Sequence, residues 1–185
     1  MSNPADQLYE RLLVLRFQAG DEVAFAELVA RYAPRLRYFL RKLLGDHHAA
    51  EDALQEAWLD VTRSISRLGD AGAFAAWVYR IARDRASRRL RRKGRVVATI
   101  DGEGPACEPS DDDPLLSAER AEAIHAALDR LSPEHREALV LRFLEGMSYE
   151  DMSRVVGRPT GTVRSRLHYA RRALRDALER EGITP

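Results

Sequence analysis

Between Arg95 and Ser117 the apolar periodicity that runs through the rest of this 185-residue chain stops. The stretch VVATIDGEGPACEPSDDDPLL mixes glycine and proline with six acids and has no sustained apolar repeat. It carries too little hydrophobic surface to offset the entropy of ordering it. Residues 96–116 therefore read as a flexible acidic linker, in which VVATI can form a brief extended piece. The simplest architecture is all-α, with two small helical domains, residues 5–95 and 117–182, strung on that tether.

In the first half a short amphipathic segment covers about Asp6 to Phe17. Asp21 can cap the next helix and Gly45 can end it, with Phe25, Leu28, Val29, Tyr32, Leu36, Phe39 and Leu40 at helical spacing. A third helix follows Asp46, carrying Ala50, Leu54, Trp58, Val61, Ile65 and Leu68 on one stripe. Glu51, Asp52, Glu56 and Asp60 lie off it. After a turn at Gly69–Gly72, a fourth helix begins with Phe74, Trp77, Val78 and Ile81, where Phe74 and Trp77 read as core.

In the second half ERAEAIHAALDRL opens a helix. Ser132 and Pro133 mark the cap and first position of PEHREALVLRFLEG, which Gly146 ends. Ser148 and Asp151 frame a capping box, Gly157 offers a left-handed turn, and Thr160 can cap a final helix reaching about Glu181.

Charge is uneven along this plan. Residues 1–95 hold 18 basic and 12 acidic side chains, net +6; residues 96–118 hold six acids and no base, net −6; the remainder holds 12 and 11, net +1. Two basic patches flanking an acidic strip suit polyanion binding, in which counterion release drives association.

The final helix locates one patch. With Val163 as zero and about 100° per residue, Leu167, Ala170 and Leu174 fall within about 40° and form the buried stripe. Gly161, Ser165, His168 and Arg172 cluster opposite, flanked by Arg164, Arg171 and Arg175. Small residues early on that face permit close approach to base edges. Met152, Val155 and Val156 can pack on Val163 and Leu167, completing a helix-turn-helix whose second helix enters the major groove. Arg164, Ser165 and His168 are then candidates for base-edge contact, and Arg154, Arg158, Arg171, Arg172 and Arg175 for phosphate. An ordinary amphipathic hairpin with solvated arginines fits the same spacing.

The other patch, YRIARDRASRRLRRKGR from Tyr79 to Arg95, holds nine bases and one acid. Asp84 can pair with Arg88 at i,i+4. Arg91, Arg92, Lys93 and Arg95 fit either nucleic-acid contact or a solvated basic end. The acidic face Glu51, Asp52, Glu56 and Asp60 is badly placed for DNA and suits a protein partner.

Two blocks carry a resemblance. DEVAFAELVARYAPRLRYFLRKLLGDHHAAEDALQEAWLDVTRSISRL with FAAWVYRIARDRASRRLRR, and LSPEHREALVLRFLEGMSYEDMSRVVGRPTGTVRSRLHYARRALR, resemble the extracytoplasmic-function group of the sigma-70 family, promoter-recognition subunits of bacterial RNA polymerase. The resemblance implies that the first domain is that family's region two and the second its region four. It implies that Asp46 to Asp60 docks on the polymerase beta-prime coiled coil, through Asp46, Glu51, Asp52, Gln55 and Glu56. It further implies that the loop Arg67 to Phe74, with Arg67 and Asp70, captures a flipped minus-ten base. Tyr79, Arg80, Arg83 and Asp84, followed by Arg91 and Arg92, lie where the family reads or melts that element. The helix from Thr160, Gly161 and Thr162 onward is expected to recognise the minus-thirty-five element, and region four to contact the beta flap. Two positions depart from the family pattern: Asp84 stands for the usual asparagine and Arg88 for the usual aspartate.

The function expected is a noncatalytic initiation factor acting in the cytoplasm on promoter DNA with core polymerase, and an anti-sigma factor is a further partner that the resemblance raises. The alternative is a freestanding helix-turn-helix transcriptional regulator. No cofactor, metal or catalytic set is expected. Cys107 stands alone, His47 and His48 lack further ligands, and His125, His135 and His168 are dispersed. No apolar run approaches the roughly 18 residues of a membrane span, and MSNPADQLYERLL does not read as a secretory leader.

Overall fold

The computed structural model describes residues 3–92, 94 and 118–180. The expected tether, its VVATI piece and Cys107 lie outside those residues. The described helices form two units, one of α1 to α4 and one of α5 to α8, and every described element is helical.

In the first unit α1 spans Pro4–Gln18, α2 Glu22–Leu44, α3 His47–Ser64 and α4 Phe74–Arg92. Local chemistry fixes the boundaries. Asp21 accepts from Val23 N and Ala24 N at 2.9 and 3.1 Å, and these bonds, with that from Arg16, hold its carboxyl below the usual range. Gly45 ends α2 in the left-handed region at φ +65, where a side chain would be strained. Asp46 accepts from Ala49 N at 3.0 Å and starts α3.

The long helix α2 packs against α1, α3 and α4. Its buried Leu28, Tyr32, Leu36, Phe39 and Leu40 meet Ala50, Ala53, Leu54, Ala57 and Val61 of α3 and Phe74, Val78 and Ala82 of α4 in the core. Phe74 is edge-on to Tyr32 at 5.3 Å, contacts worth about 0.5–1.5 kcal/mol beyond burial. Trp58 and Trp77 are half-buried rather than enclosed; they lie against Phe25 and Phe74.

The second unit has α5 at Ala118–Asp129, α6 at Pro133–Leu139, α7 at Tyr149–Val156 and α8 at Thr160–Glu179. Ser132 caps α6 through His135 N at 3.3 Å. Arg136 donates to the carbonyls of Leu128, Asp129 and Leu131, satisfying the orphan acceptors where α5 ends. Ala127, Ala177 and Leu178, with Ile124 and Leu174, join α5 to the end of α8.

Two expectations need correction. PEHREALVLRFLEG is not one regular helix, because Val140–Leu144 widens into a π-helical turn in which Glu145 N bonds to Val140 O at 3.1 Å. Thr160 does not cap α8. Pro159 occupies the cap with ψ 149, and its carbonyl receives Val163 N at 3.1 Å, so Thr160 is the first helical residue.

Burial holds the His135 imidazole below its ordinary 6.5; Glu134 raises it and Arg166 lowers it further. A depressed folded pKa favours the neutral ring, so its contribution to stability is complete above about 6.5 and is lost as pH falls through the depressed value. The melting temperature is expected to fall more between about pH 7.5 and 5.5 in the wild type than in His135→Gln, as read by circular dichroism.

Candidate nucleic-acid interface

The basic helix α4 lies along the acidic face of α3 through a ladder of ion pairs. Arg85 grips both carboxylate oxygens of Asp60, with Nε to Oδ2 at 2.6 Å, and reaches Glu56 Oε2 at 3.2 Å. Arg89 donates to Glu56 Oε1 at 2.6 Å and to Asp52 Oδ2 at 3.2 Å. The residue numbers rise on α3 as they fall on α4, so the two helices run antiparallel. Hydrogen bonding to Asp60 leads in raising the Arg85 pKa above its already high ordinary value. Further along α3, Glu51 accepts from Arg37 Nε at 2.6 Å and has His47 Nδ1 at 3.9 Å. The acidic face read from the sequence is thus engaged by three arginines. Gln55 is exposed beside it, and Asp46 serves as the α3 cap.

Pairing divides the cations of α4. Arg85 and Arg89 face α3, whereas Arg80, Asp84, Arg88 and Arg91 fall within about 80° of one another on a different side. Those four, with Arg92, are exposed; Arg83 is half-buried. Asp84 and Arg88 are exposed without the expected ion pair between them, so pairing does not compensate for their departure from the family pattern.

The loop before α4 is held from α1. Gln18 Nε2 donates to Ile65 O at 3.0 Å and Leu68 O at 2.7 Å. Asp70 accepts from Gly72 N at 2.8 Å, starting a short 3₁₀ turn. At Gly72 an added Cβ would meet the Arg11 guanidinium at 2.9 Å, so glycine lets that side chain lie against the loop. Arg67 and Asp70 remain exposed.

On α8, Val163, Leu167 and Ala170 are buried, and Leu174 is half-buried, as the stripe predicts. Met152, Val155 and Val156 of α7 are buried too. Ser148 Oγ receives Asp151 N at 3.0 Å and donates to Asp151 Oδ2 at 2.8 Å. Gly157 turns the chain at φ +67, and Ser153 Oγ donates to Arg158 O at 2.6 Å, bracing the turn. Gly161, Arg164, His168, Arg172 and Arg154 are exposed, and Thr160, Thr162, Arg158 and Arg171 half-buried.

Two site residues move out of the interface. Tyr79 is 0% exposed, edge-on to Phe39 at 5.2 Å, because its phase on α4 coincides with the core stripe of Val78, Ala82 and Ala86. Ser165 is 8% exposed and donates to Thr162 O at 3.1 Å. That side of α8 is not open, since α6 packs on it, and beside Ser165 the buried Glu137 faces Arg166 at 4.0 Å.

Several residues absent from the sequence reading shape these surfaces. The Tyr149 ring carries two guanidiniums, Arg142 at 5.1 Å and Arg164 at 5.3 Å from its centroid, and Phe143 carries Arg171 at 5.6 Å. Arg142 is anchored by donating to Met147 O at 3.0 Å. The available signal was the spacing of Arg85 and Arg89 against Asp52, Glu56 and Asp60, i and i+4 on each helix. The aromatic stacks had none. Among the described residues no helix is long and apolar enough to cross a membrane, and no three His, Cys, Asp or Glu side chains gather in a metal-holding group.

Two family models match these units: sigma-70 region 2 over residues 28–96 and sigma-70 region 4 over residues 121–174. This chain belongs to the sigma-70 family, in its extracytoplasmic-function group. The RNA polymerase sigma-H factor of Pseudomonas aeruginosa is 35% identical over 184 residues, covering 94% of this chain and 95% of that one. The sigma factor SigE of Mycolicibacterium smegmatis is 36% identical over 170 residues, 88% of this chain and 66% of that protein. Among solved structures, the sigma factor RpoE from Bartonella quintana, in complex with the anti-sigma factor NepR, matches with TM-score 0.64 and 29% identity over 84% of this chain and 96% of that one. In this sigma factor the region 2 match includes the whole α3–α4 ladder, and α1 lies outside it.

Arg85→Ala removes the ladder's bidentate member. Because the pair is partly solvated, the melting temperature should fall by about 2–6 °C, whereas Arg80→Ala on the open side should leave it within about 1 °C.

Proposed function

We propose that this sigma factor binds core RNA polymerase and directs promoter recognition, opening and transcription initiation, acting on DNA through two helical surfaces. It supplies no bond-breaking chemistry of its own. The observation that carries the reading is the presence in one chain of two family-matched helical units, each exposing arginines along one helix, α4 in one and α8 in the other.

In this reading the domains are residues 5–95 and 117–182, with 96–116 as the tether between them. Two modest DNA contacts on one tether gain in avidity when both sites are spanned. The unit of α5 to α8 engages the upstream duplex. Arg164 and His168 reach base edges, Thr160, Gly161 and Thr162 permit close approach, and Arg154, Arg158, Arg171 and Arg172 meet phosphate. Exposure of Gly161, Arg164, His168 and Arg172 on one side of α8 supports this. The unit of α1 to α4 holds the opened downstream element with Arg67 and Asp70 on the loop and Arg80, Arg83, Asp84, Arg91 and Arg92 on α4. The solvent-facing positions of Arg67, Asp70, Arg80, Asp84, Arg91 and Arg92 support it.

Asp46, Glu51, Asp52, Gln55 and Glu56 make the polymerase contact on the beta-prime coiled coil, and the second unit meets the beta flap. The likeness to a sigma factor solved with an anti-sigma factor supports regulation of this chain by a protein of that kind. Promoter DNA places its work in the cytoplasm.

The test is transcription by purified core polymerase, with and without the chain, on a promoter library with start-site mapping. Defined starts that require the chain are expected. Random starts, or operator binding of equal strength without polymerase, would replace this reading with a freestanding regulator. Arg164→Gln or His168→Ala should reduce discrimination against a mismatched upstream base pair by about five- to fiftyfold, the scale of one specific contact.

A further inference from the structure

The carboxylates assigned to polymerase docking are the same ones that hold α4. We propose that Arg89 is a positioning residue of docking: it occupies the free chain's docking carboxylates, and the polymerase binds by displacing it, which returns its charge to the DNA-facing end of α4. This inference rests on the docking role given to Asp52 and Glu56.

The rungs of the ladder differ in how much acceptor capacity they have left. Asp60 has both oxygens taken by Arg85. Glu56 is shared, Oε1 with Arg89 at 2.6 Å and Oε2 with Arg85 at 3.2 Å. Asp52 has one contact, Oδ2 with Arg89 at 3.2 Å, and its side chain is 61% exposed. A basic group approaching α3 therefore meets Asp52 first. To reach Glu56 it must come close to a guanidinium already seated there, and like charges repel at that range. The arrangement favours exchange over addition, with Arg89 as the group exchanged.

Arg85 is the anchor. It pairs both Asp60 oxygens, and its side chain is 22% exposed. Arg89 bridges two carboxylates that both lie on the docking face, and neighbours the exposed Arg88, Arg91 and Arg92. Once released it adds a cation to that cluster. Polymerase docking and polyanion binding at α4 are then coupled, and by linkage each strengthens the other by the same factor.

The experiment uses the full chain, titrated with core polymerase and, separately, with a 12-nucleotide oligo-dT. Arg89→Gln is expected to tighten polymerase binding about three- to tenfold, while Asp52→Asn weakens it. Glu56→Gln is expected to tighten oligo-dT binding to the free chain, since Arg89 loses its main holder; this arm needs no polymerase. Melting curves check the fold. If Arg89→Gln is too unstable, Arg89→Lys, which keeps the charge but not the fork, takes its place with the same expected direction. Asp52→Asn without effect on polymerase affinity removes the docking role itself. Asp52→Asn weakening polymerase binding while Arg89→Gln fails to tighten it, or oligo-dT affinity unmoved by Glu56→Gln, overturns the exchange and leaves the docking role standing.

Discussion

Pairing of Arg85 and Arg89 with Asp52, Glu56 and Asp60 lets a helix as cationic as α4 lie along a neighbour at all. Nine basic side chains in the seventeen residues from Tyr79 to Arg95 repel one another. The apolar stripe of Phe74, Val78, Tyr79, Ala82 and Ala86 pulls the helix onto the core. The α3 carboxylates absorb the charge on the flank where solvent is scarcest, so the remaining arginines face outward by default. Orientation of the DNA-facing side is thus decided by what is neutralised as much as by what is buried.

Much of this was legible in the chain. Asp21, Gly45, Asp46, Ser132, Pro133, Ser148 and Gly157 act as boundary residues because caps and left-handed turns are local chemistry, readable without knowing the fold. The Val163–Leu167–Ala170 stripe was readable for the same reason: helical period is a property of the segment alone. What failed was anything that depends on a second neighbour. Ser165 sits opposite the stripe and was expected in the open, but α6 packs there as well, and a single periodicity cannot reveal that a helix is covered on two sides. The π turn at Val140–Leu144 left no mark in a run of ordinary helix-forming residues.

Tyr79 is a different kind of miss. Its burial follows from the phase of α4 itself, one position from Val78 and three before Ala82. Family likeness placed the segment correctly but said nothing about which of its side chains look inward. The Arg85–Asp60 and Arg89–Glu56 contacts lay in between: their spacings match on paper, but only the antiparallel packing of α3 and α4 turns matching numbers into touching charges.

The widened turn in Val140–Leu144 has a consequence for phase. It holds one residue more than an α-helical turn would, leaving Leu141 enclosed, Arg142 angled toward Tyr149, and Phe143 outward beneath Arg171. Deleting one residue there would restore ordinary winding and rotate everything after it by about 100°. Arg142 and Phe143 would trade directions, and both aromatic shelves supporting α8 arginines would be lost together. A single-residue length change, some twenty positions before α8 begins, would thus reset how its cations are presented without altering any of them.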